Sequence, residues 1–466
     1  MPNLLAHISL IVWPMLVLLL YATQPVGRAT IWAILGAYLL LPVGAAIKIS
    51  GIPPIDKDTV PNIAAVIGCS FIAGRQFRFG RGFGLTEVLL LTLLTSPFVT
   101  SELNTDDIVV GGRLLPGLGA YEGLSATVGE FLFVIPFFLA RNVLRSPKDI
   151  ADLFRAMVIA GLAYSLLELY EVRMSPQLHA IFYGYPPHDF IQQVRQGGYR
   201  PMVFLGHGLL VAFFTMTTAV AAAALWRTRY PLGSLPVTGW LTGMLVLCKS
   251  AGALVYGIVL IPLVRFMSPR LQVNIALVLV AVAMLYPVLR ATDLFPTRSL
   301  TEFSDSLSSG ERAASLQFRF DNEDKLLARA TERPIYGWGR FGRNRVYSAE
   351  NGDDESVTDG VWIIVLGTWG LVGFVAQFGL LALTVVRASW ALEWAKTKEE
   401  QIFIAALALI ISVNMIDLLP NSSLSPWTWL LAGALLGRAE NMRARPRVPR
   451  PAATTSLRPG AVRTSN

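Results

Sequence analysis

Runs of apolar residues such as LIVWPMLVLLLYA (10–22) and LVAFFTMTTAVAAAALW (210–226) recur along most of this chain, and they leave few folds open. With their flanking turns they reach the roughly 20 residues a helix needs to cross about 30 Å of hydrocarbon. A soluble domain carries about 25% charged residues. This chain has 15%, beside 53% hydrophobic residues, too few charges to cover the surface of so large an apolar mass. In lipid every backbone polar group must be satisfied internally, and for long uninterrupted runs the helix achieves that. The sequence therefore predicts an all-α, multi-pass transmembrane helical bundle.

Apolar segments fall near 4–22, 29–47, 60–74, 86–101, 125–141, 153–173, 203–226, 236–249, 252–266, 271–289, 358–386, 400–419 and 422–437, giving about 12–13 helices. The first run lacks a basic leader and a convincing cleavage site, so it reads as a retained helix. Cys69 and Cys248 stand alone in apolar segments, with neither metal-ligand spacing nor a disulfide pattern, and read as core residues. No metal site is expected.

Lys and Arg concentrate in RQFRFGRGF (75–83), RNVLRSPK (141–148), RTR (227–229) and RARPRVPRP (443–451). The positive-inside rule places these in the cytoplasm, and alternation from the third helix onward satisfies them together. The net charge of +8 thus follows from topology and anionic lipid and calls for no nucleic acid. Four connections then lie outside: 102–124, 174–202, 290–357 and 417–423. The expected divisions are 1–289, transmembrane helices with short loops; 290–357, one large periplasmic loop with a short amphipathic helix; 358–437, C-terminal transmembrane helices; and 438–466, a basic, disordered cytoplasmic tail. No internal repeat is visible, which argues against a transporter built from inverted halves.

The large loop carries ten Lys or Arg against twelve acids. Within it, RFDNEDKLLARATERP (319–334) predicts a short helix capped by Asp321 and ended by Pro334, either lying on the membrane surface or solvated with its arginines paired to Asp321 and Glu332. Lys325, Arg329 and Arg333, four apart, form its basic stripe, and Leu326, Leu327 and Ala330 its apolar side. Next comes GWGRFGRNR (337–345), whose glycines match G-x-G-x-x-G. A dinucleotide turn follows a strand and opens a helix. Here a helix and a proline precede and a polar loop follows, so the match is accidental. What remains is either an anion-binding turn with Arg340, Arg343 and Arg345, or a tight turn with Trp338 packed against it. On the first reading Trp338 anchors at the interface or stacks on a sugar.

The ordered series RPMVFLGHGL (200–209), KSAGALV (249–255), RATERPIYGWGRFG (329–342), SVTDGVWIIVLGTWGLVG (356–373) and NSSLSPWTWLLAGALLG (421–437) resembles the O-antigen ligase and O-antigen polymerase family across about residues 60 to 437. The resemblance implies a GT-C-type fold in a bacterial inner membrane and a periplasmic site. It implies transfer of glycan from an undecaprenyl-pyrophosphate carrier to an acceptor hydroxyl, with neither metal nor cofactor. Lipid-linked donor and acceptor, membrane lipid and other polysaccharide-assembly proteins are the partners it suggests.

Arg200 matches the family's arginine before a helix at the end of the medium loop. Lys249 stands where ligases often have arginine, and Asp359 where they have histidine. These departures favour an exopolysaccharide or O-antigen polymerase over a ligase joining glycan to lipid A-core. The chemistry fits that division: cations stabilise a departing pyrophosphate, and a carboxylate deprotonates the acceptor. Candidate catalytic residues are therefore Asp359, Arg200 and Lys249, and candidate substrate-binding residues are Arg319, Arg329, Arg333, Trp338, Arg340, Arg343 and His207. As alternatives, Asp359 caps a helix, Lys249 snorkels to the interface, Arg200 anchors there, and His207, one or two turns inside its helix, simply packs. Asp417 is a possible partner for a loop arginine. Of the other classes, a lipid-linked-oligosaccharide flippase needs charges along several helix midplanes, and a receptor or scaffold would bind its partner through the long loop.

Overall fold

In the computed structural model, residues 1–48, 54–76, 84–195, 197–307 and 311–443 are described. The basic residues 77–83 and the tail from 444 onward lie outside them, so the reading of those stretches as cytoplasmic lies there too.

Each of the thirteen apolar segments is a helix: α1 (Leu4–Thr23), α2 (Val26–Leu40), α3 (Thr59–Ile67, continued by a π-helical turn, Gly68–Ile72), α4 (Leu85–Glu102), α5 (Ala120–Val143), α6 (Pro147–Met174), then a short non-spanning α7 (Leu178–Tyr183), and α8 (Gly208–Thr228), α9 (Leu235–Leu247), α10 (Ala251–Phe266) and α11 (Pro269–Ala291). The large loop contributes α12 (Thr297–Leu307) and α13 (Glu311–Thr331); α14 (Val361–Ala391), α15 (Lys398–Asp417) and α16 (Pro426–Arg443) follow. Seven of these helices are long and apolar enough to cross a membrane: α1, α5, α6, α8, α11, α14 (with the turn after it) and α15. The protein is an all-α membrane protein. Among the described residues strands are confined to three two-stranded hairpins, β1–β2 (Ala46–Ile47, Ile55–Asp56), β3–β4 (Ile108–Val110, Arg113–Leu115) and β5–β6 (Val194–Arg195, Gly198–Tyr199).

The connections sort to two ends. At one end, buried Arg141 of α5 bonds Glu87 of α4 at 2.8 Å and Glu440 of α16 at 2.6 Å, Arg28 pairs with Asp152, and Arg438 pairs with Glu400. The Arg438 and Glu440 pairs belong to α16, which runs to Arg443, so the tail expected from 438 begins as helix. Gly433 and Gly437 lie against α5 so closely that a Cβ at either would overlap the carbonyl of Phe137 or Arg141. Small residues four apart allow this backbone approach between membrane helices.

At the opposite end the loops 102–119, 184–207, 292–360 and 418–425 converge, as shown by bonds from Arg333 to Asp106, from Arg319 to Pro420 and from Arg200 to Lys249. Two expectations about this end need correction. The loop helix α13 begins at Glu311 and not after Asp321, which lies inside it. Leu326, Leu327 and Ala330 are buried in the common core, so the apolar side expected of this helix faces the bundle. The helix expected from 203 begins at Gly208, because Val203 (φ +49°) and Gly206 (φ +85°) cannot continue helical geometry.

One spanning helix is broken. In α14, Gly370 has φ +67° and ψ −166°, which interrupts the hydrogen-bond ladder. The freed groups are bonded by residues 334–339 of the loop. Leu371 and Val372 N–H donate to the Pro334 and Ile335 carbonyls, and Gly367 and Thr368 carbonyls accept from Trp338 and Gly339 N–H, at 2.8–3.1 Å. Irregular backbone in a membrane-spanning helix is tolerated when protein groups re-satisfy it.

Candidate functional site

The GWGRFG stretch is therefore a plug in the break of α14. Its side chains close the plug from above. Arg343 is fully buried (0% exposed) and donates to the carbonyls of Trp338 (3.2 Å), Asp106 (2.8 Å) and Pro116 (2.9 Å). Arg329 donates to the Arg343 carbonyl and to Glu332, with its guanidinium 3.4 Å from the centre of the Trp338 ring. Arg333, just past the end of α13, bonds Asn104 and Asp106 and covers the same ring at 4.2 Å. Trp338 is 6% exposed, and its Nε1–H donates to the Arg329 carbonyl.

These four were expected to meet substrate, and the geometry corrects that. Their hydrogen bonds go to carbonyls, carboxylates and one another, Arg343 Nη2 lies 3.5 Å from the Asp106 carboxylate without a hydrogen bond, and Trp338 is covered by two guanidinium groups, which leaves it no free face for a sugar or for the membrane interface. The tight-turn alternative describes this stretch. Arg340 alone points outward, beside Phe341, within electrostatic reach of Glu130 of α5. It stands apart from the cluster described next.

The other candidates meet elsewhere. Arg200 follows β6, and the segment after it is tightly held. Glu171 of α6 accepts from Met202 and Val203 N–H at 2.8 and 2.7 Å, Tyr164 Oη accepts from Phe204 N–H, and Lys57 Nζ donates to the Phe204 carbonyl. Arg200 is consequently fixed and 9% exposed. Its Nη2 donates to the Lys249 carbonyl at 3.0 Å, its Nε finds no protein partner, and no described carboxylate pairs with it. Burial, with Arg195 and Arg319 adding like-charge repulsion, pushes its pKa down to about 10.

Lys249 occupies the turn between α9 and α10 at φ +50°, and its Nζ donates to the Arg195 carbonyl at 3.0 Å. His207 is the N-cap of α8, not a residue inside it, and its Nδ1 accepts from Leu209 N–H. The ring stands edge-on to His188 at 4.7 Å. Burial first, then His188 and Arg200, Arg319 and Arg195, push its pKa down to about 4. The neutral ring with Nδ1 occupied as acceptor carries its proton on Nε2, so it offers a hydrogen-bond donor.

Arg319 of α13 reaches from this group to Asp359, 3.6 Å away, and to the Pro420 carbonyl. Asp359 is partly exposed and is not a cap, since Gly360 is the N-cap of α14. Asp417 accepts from Ser423 and Asn421, so its bonds go to its own turn.

Arg195, Arg200, Lys249, Arg319 and two histidines thus share one neighbourhood, and Arg319 links it to the partly exposed carboxylate of Asp359. That arrangement can hold a polyanion and place a base beside it. Sequence reading missed Arg195, His188 and Gln193. The Gly197–Gly198 turn, which sets Arg195 opposite Gly198 in a hairpin, was the available signal for Arg195. Nothing in the sequence marked Gln193. Among the described residues no group of three or more His, Cys, Asp or Glu side chains could hold a metal ion. No family model matches the chain, and a search of curated proteins finds no match.

Proposed function

We propose that this protein is a GT-C-type glycosyl-transferring polymerase of a bacterial inner membrane, acting on undecaprenyl-pyrophosphate-linked glycan at its periplasmic end. The resemblance to O-antigen polymerases and the gathered cations both support it. The observation that carries the reading is Arg200, a buried guanidinium pressed by other cations with no carboxylate among the described residues to neutralise it. A buried charge in that state is stabilised by an anionic ligand.

In the proposed reaction Arg200, Lys249 and Arg319 hold the pyrophosphate. The acceptor hydroxyl oxygen bonds to the anomeric carbon as the bond from that carbon to the pyrophosphate oxygen breaks. The hydroxyl proton goes to Asp359, and undecaprenyl pyrophosphate leaves with the charge stabilised by the three cations. The anion competes with Asp359 for Arg319, so donor binding frees the carboxylate for its role. The test uses purified protein and its lipid-linked substrate. Arg200→Ala should lose donor binding, whereas Asp359→Asn should keep it and slow turnover about 100-fold or more, as expected for a lost general base. Normal turnover by Asp359→Asn would remove the base, and normal binding by Arg200→Ala would remove the pyrophosphate site.

A further inference from the structure

Gln193 ends a short turn (Ile191–Gln193) and is 0% exposed. Its backbone is satisfied: the N–H donates to the Phe190 carbonyl, and the carbonyl accepts from Arg200 N–H at 2.8 Å. Among the described residues its side-chain amide has no hydrogen-bond partner at Oε1 or at Nε2. A buried orphan of this kind is unusual in a native protein and asks for an explanation.

The neighbourhood supplies one. Gly208 begins α8, and a Cβ there would overlap Arg200 Cδ and lie 2.8 Å from Gln193 Oε1. Arg200 and Gln193 therefore stand side by side over a residue without a side chain. Arg200 Nε, unpartnered as well, is on the same side chain. His207, preceding Gly208, adds the Nε2–H donor. A phosphate only accepts hydrogen bonds and would leave Oε1 unmatched. An ammonium would leave Nε2 unmatched and would be repelled by the arginines. A hydroxyl both donates and accepts, and so satisfies both ends of the amide.

We propose that Gln193, flanked by His207, recognises a ring hydroxyl of the sugar attached to the phosphate that Arg200 holds. This rests on the pyrophosphate reading above and deepens it. The ligand is then a sugar phosphate and not a bare pyrophosphate or a phospholipid headgroup. It follows that the site distinguishes substrate from product: the released carrier keeps its phosphates but has lost the hydroxyl, and so binds more weakly.

The experiment measures binding of two probes to the full chain in lipid nanodiscs. One is the lipid-linked glycan extracted from host cells lacking this protein; the other is undecaprenyl pyrophosphate without sugar. Wild type should prefer the glycan-bearing lipid about tenfold, the worth of one good hydrogen bond. Gln193→Met, close in volume, and Gln193→Ala should bind both probes alike while keeping the wild-type affinity for the sugar-free lipid. An undiminished preference in both variants, or none in wild type, overturns the hydroxyl subsite. Wild type that binds neither probe, or Arg200→Ala that binds both normally, overturns the pyrophosphate reading itself and the subsite with it.

Discussion

Replacing Gly337 by alanine tests whether the loop plugs the broken helix. Gly337 sits at φ +69°, and an added Cβ would lie 2.6 Å from Gly370 N and 2.7 Å from the Thr368 carbonyl, all backbone that cannot swing aside. The left-handed conformation costs a non-glycine residue about 1–2 kcal/mol. Relieving the overlap pulls the loop from α14, and the bonds most directly affected are Trp338 N–H to Gly367 and Gly339 N–H to Thr368, both 2.9 Å. Leaving such buried groups unpaired costs about 1–3 kcal/mol each, so with the conformational cost the variant should lose about 3–8 kcal/mol. Gly112 provides the control, because it has φ +79° with nothing within 4 Å of its Cβ. Gly112→Ala should lose only the conformational part, about 1–2 kcal/mol. Reversible unfolding in mixed micelles measures both, and limited trypsin digestion should cut Gly337→Ala at Arg329 or Arg343 well before wild type. If the two variants lose the same stability and show the same protection, the loop does not seal the break.

Two further outcomes are expected. Arg343→Lys should destabilise by about 2–4 kcal/mol in the same titration, because one ammonium cannot reach the separate carbonyls of Trp338, Asp106 and Pro116 that the guanidinium spans; unchanged stability would show those bonds to be unimportant. His207 has its pKa pushed down to about 4 from 6.5, so between those values the unfolded chain binds more protons than the folded one. Stability should therefore be full above about pH 6.5 and fall as the pH drops toward 4, and His207→Asn, which keeps a capping side chain, should flatten that part of the profile; an equally steep profile in the variant would assign the slope to other groups.

The helices were legible because lipid imposes one composition on everything that crosses it, and each apolar run is a helix. Their ends were less so. The stretch Met202–Leu205 is as apolar as the helix after it, yet it is a buried loop held by Glu171, Tyr164 and Lys57, and no local pattern reports those distant partners. The first half of α13 was invisible for the opposite reason. ERAASLQF is mostly exposed where described, and it lacks the apolar stripe by which the second half was found. At the candidate site, Arg200, Lys249 and Asp359 stood out as charges at the ends of apolar runs. Gln193 is an uncharged residue in a polar loop, and its interest comes entirely from what surrounds it.

The arginines show why residue type and glycine spacing misled. Sequence displays donors but hides acceptors. Arg329, Arg333 and Arg343 look like phosphate ligands until the carbonyls of Trp338, Asp106, Pro116 and Leu103 appear around them, contributed by a hairpin more than 200 residues away as well as by the loop itself. Arg200, with a far plainer setting in the sequence, has among the described residues one carbonyl, no paired carboxylate and other cations nearby. The same guanidinium is a structural clamp where the fold surrounds it with oxygen and, on the proposed reading, an anion receptor where the fold withholds it. What separates the two is the acceptor inventory, and that depends on how the 102–119 loop, the 184–207 loop and α13 come together over the bundle.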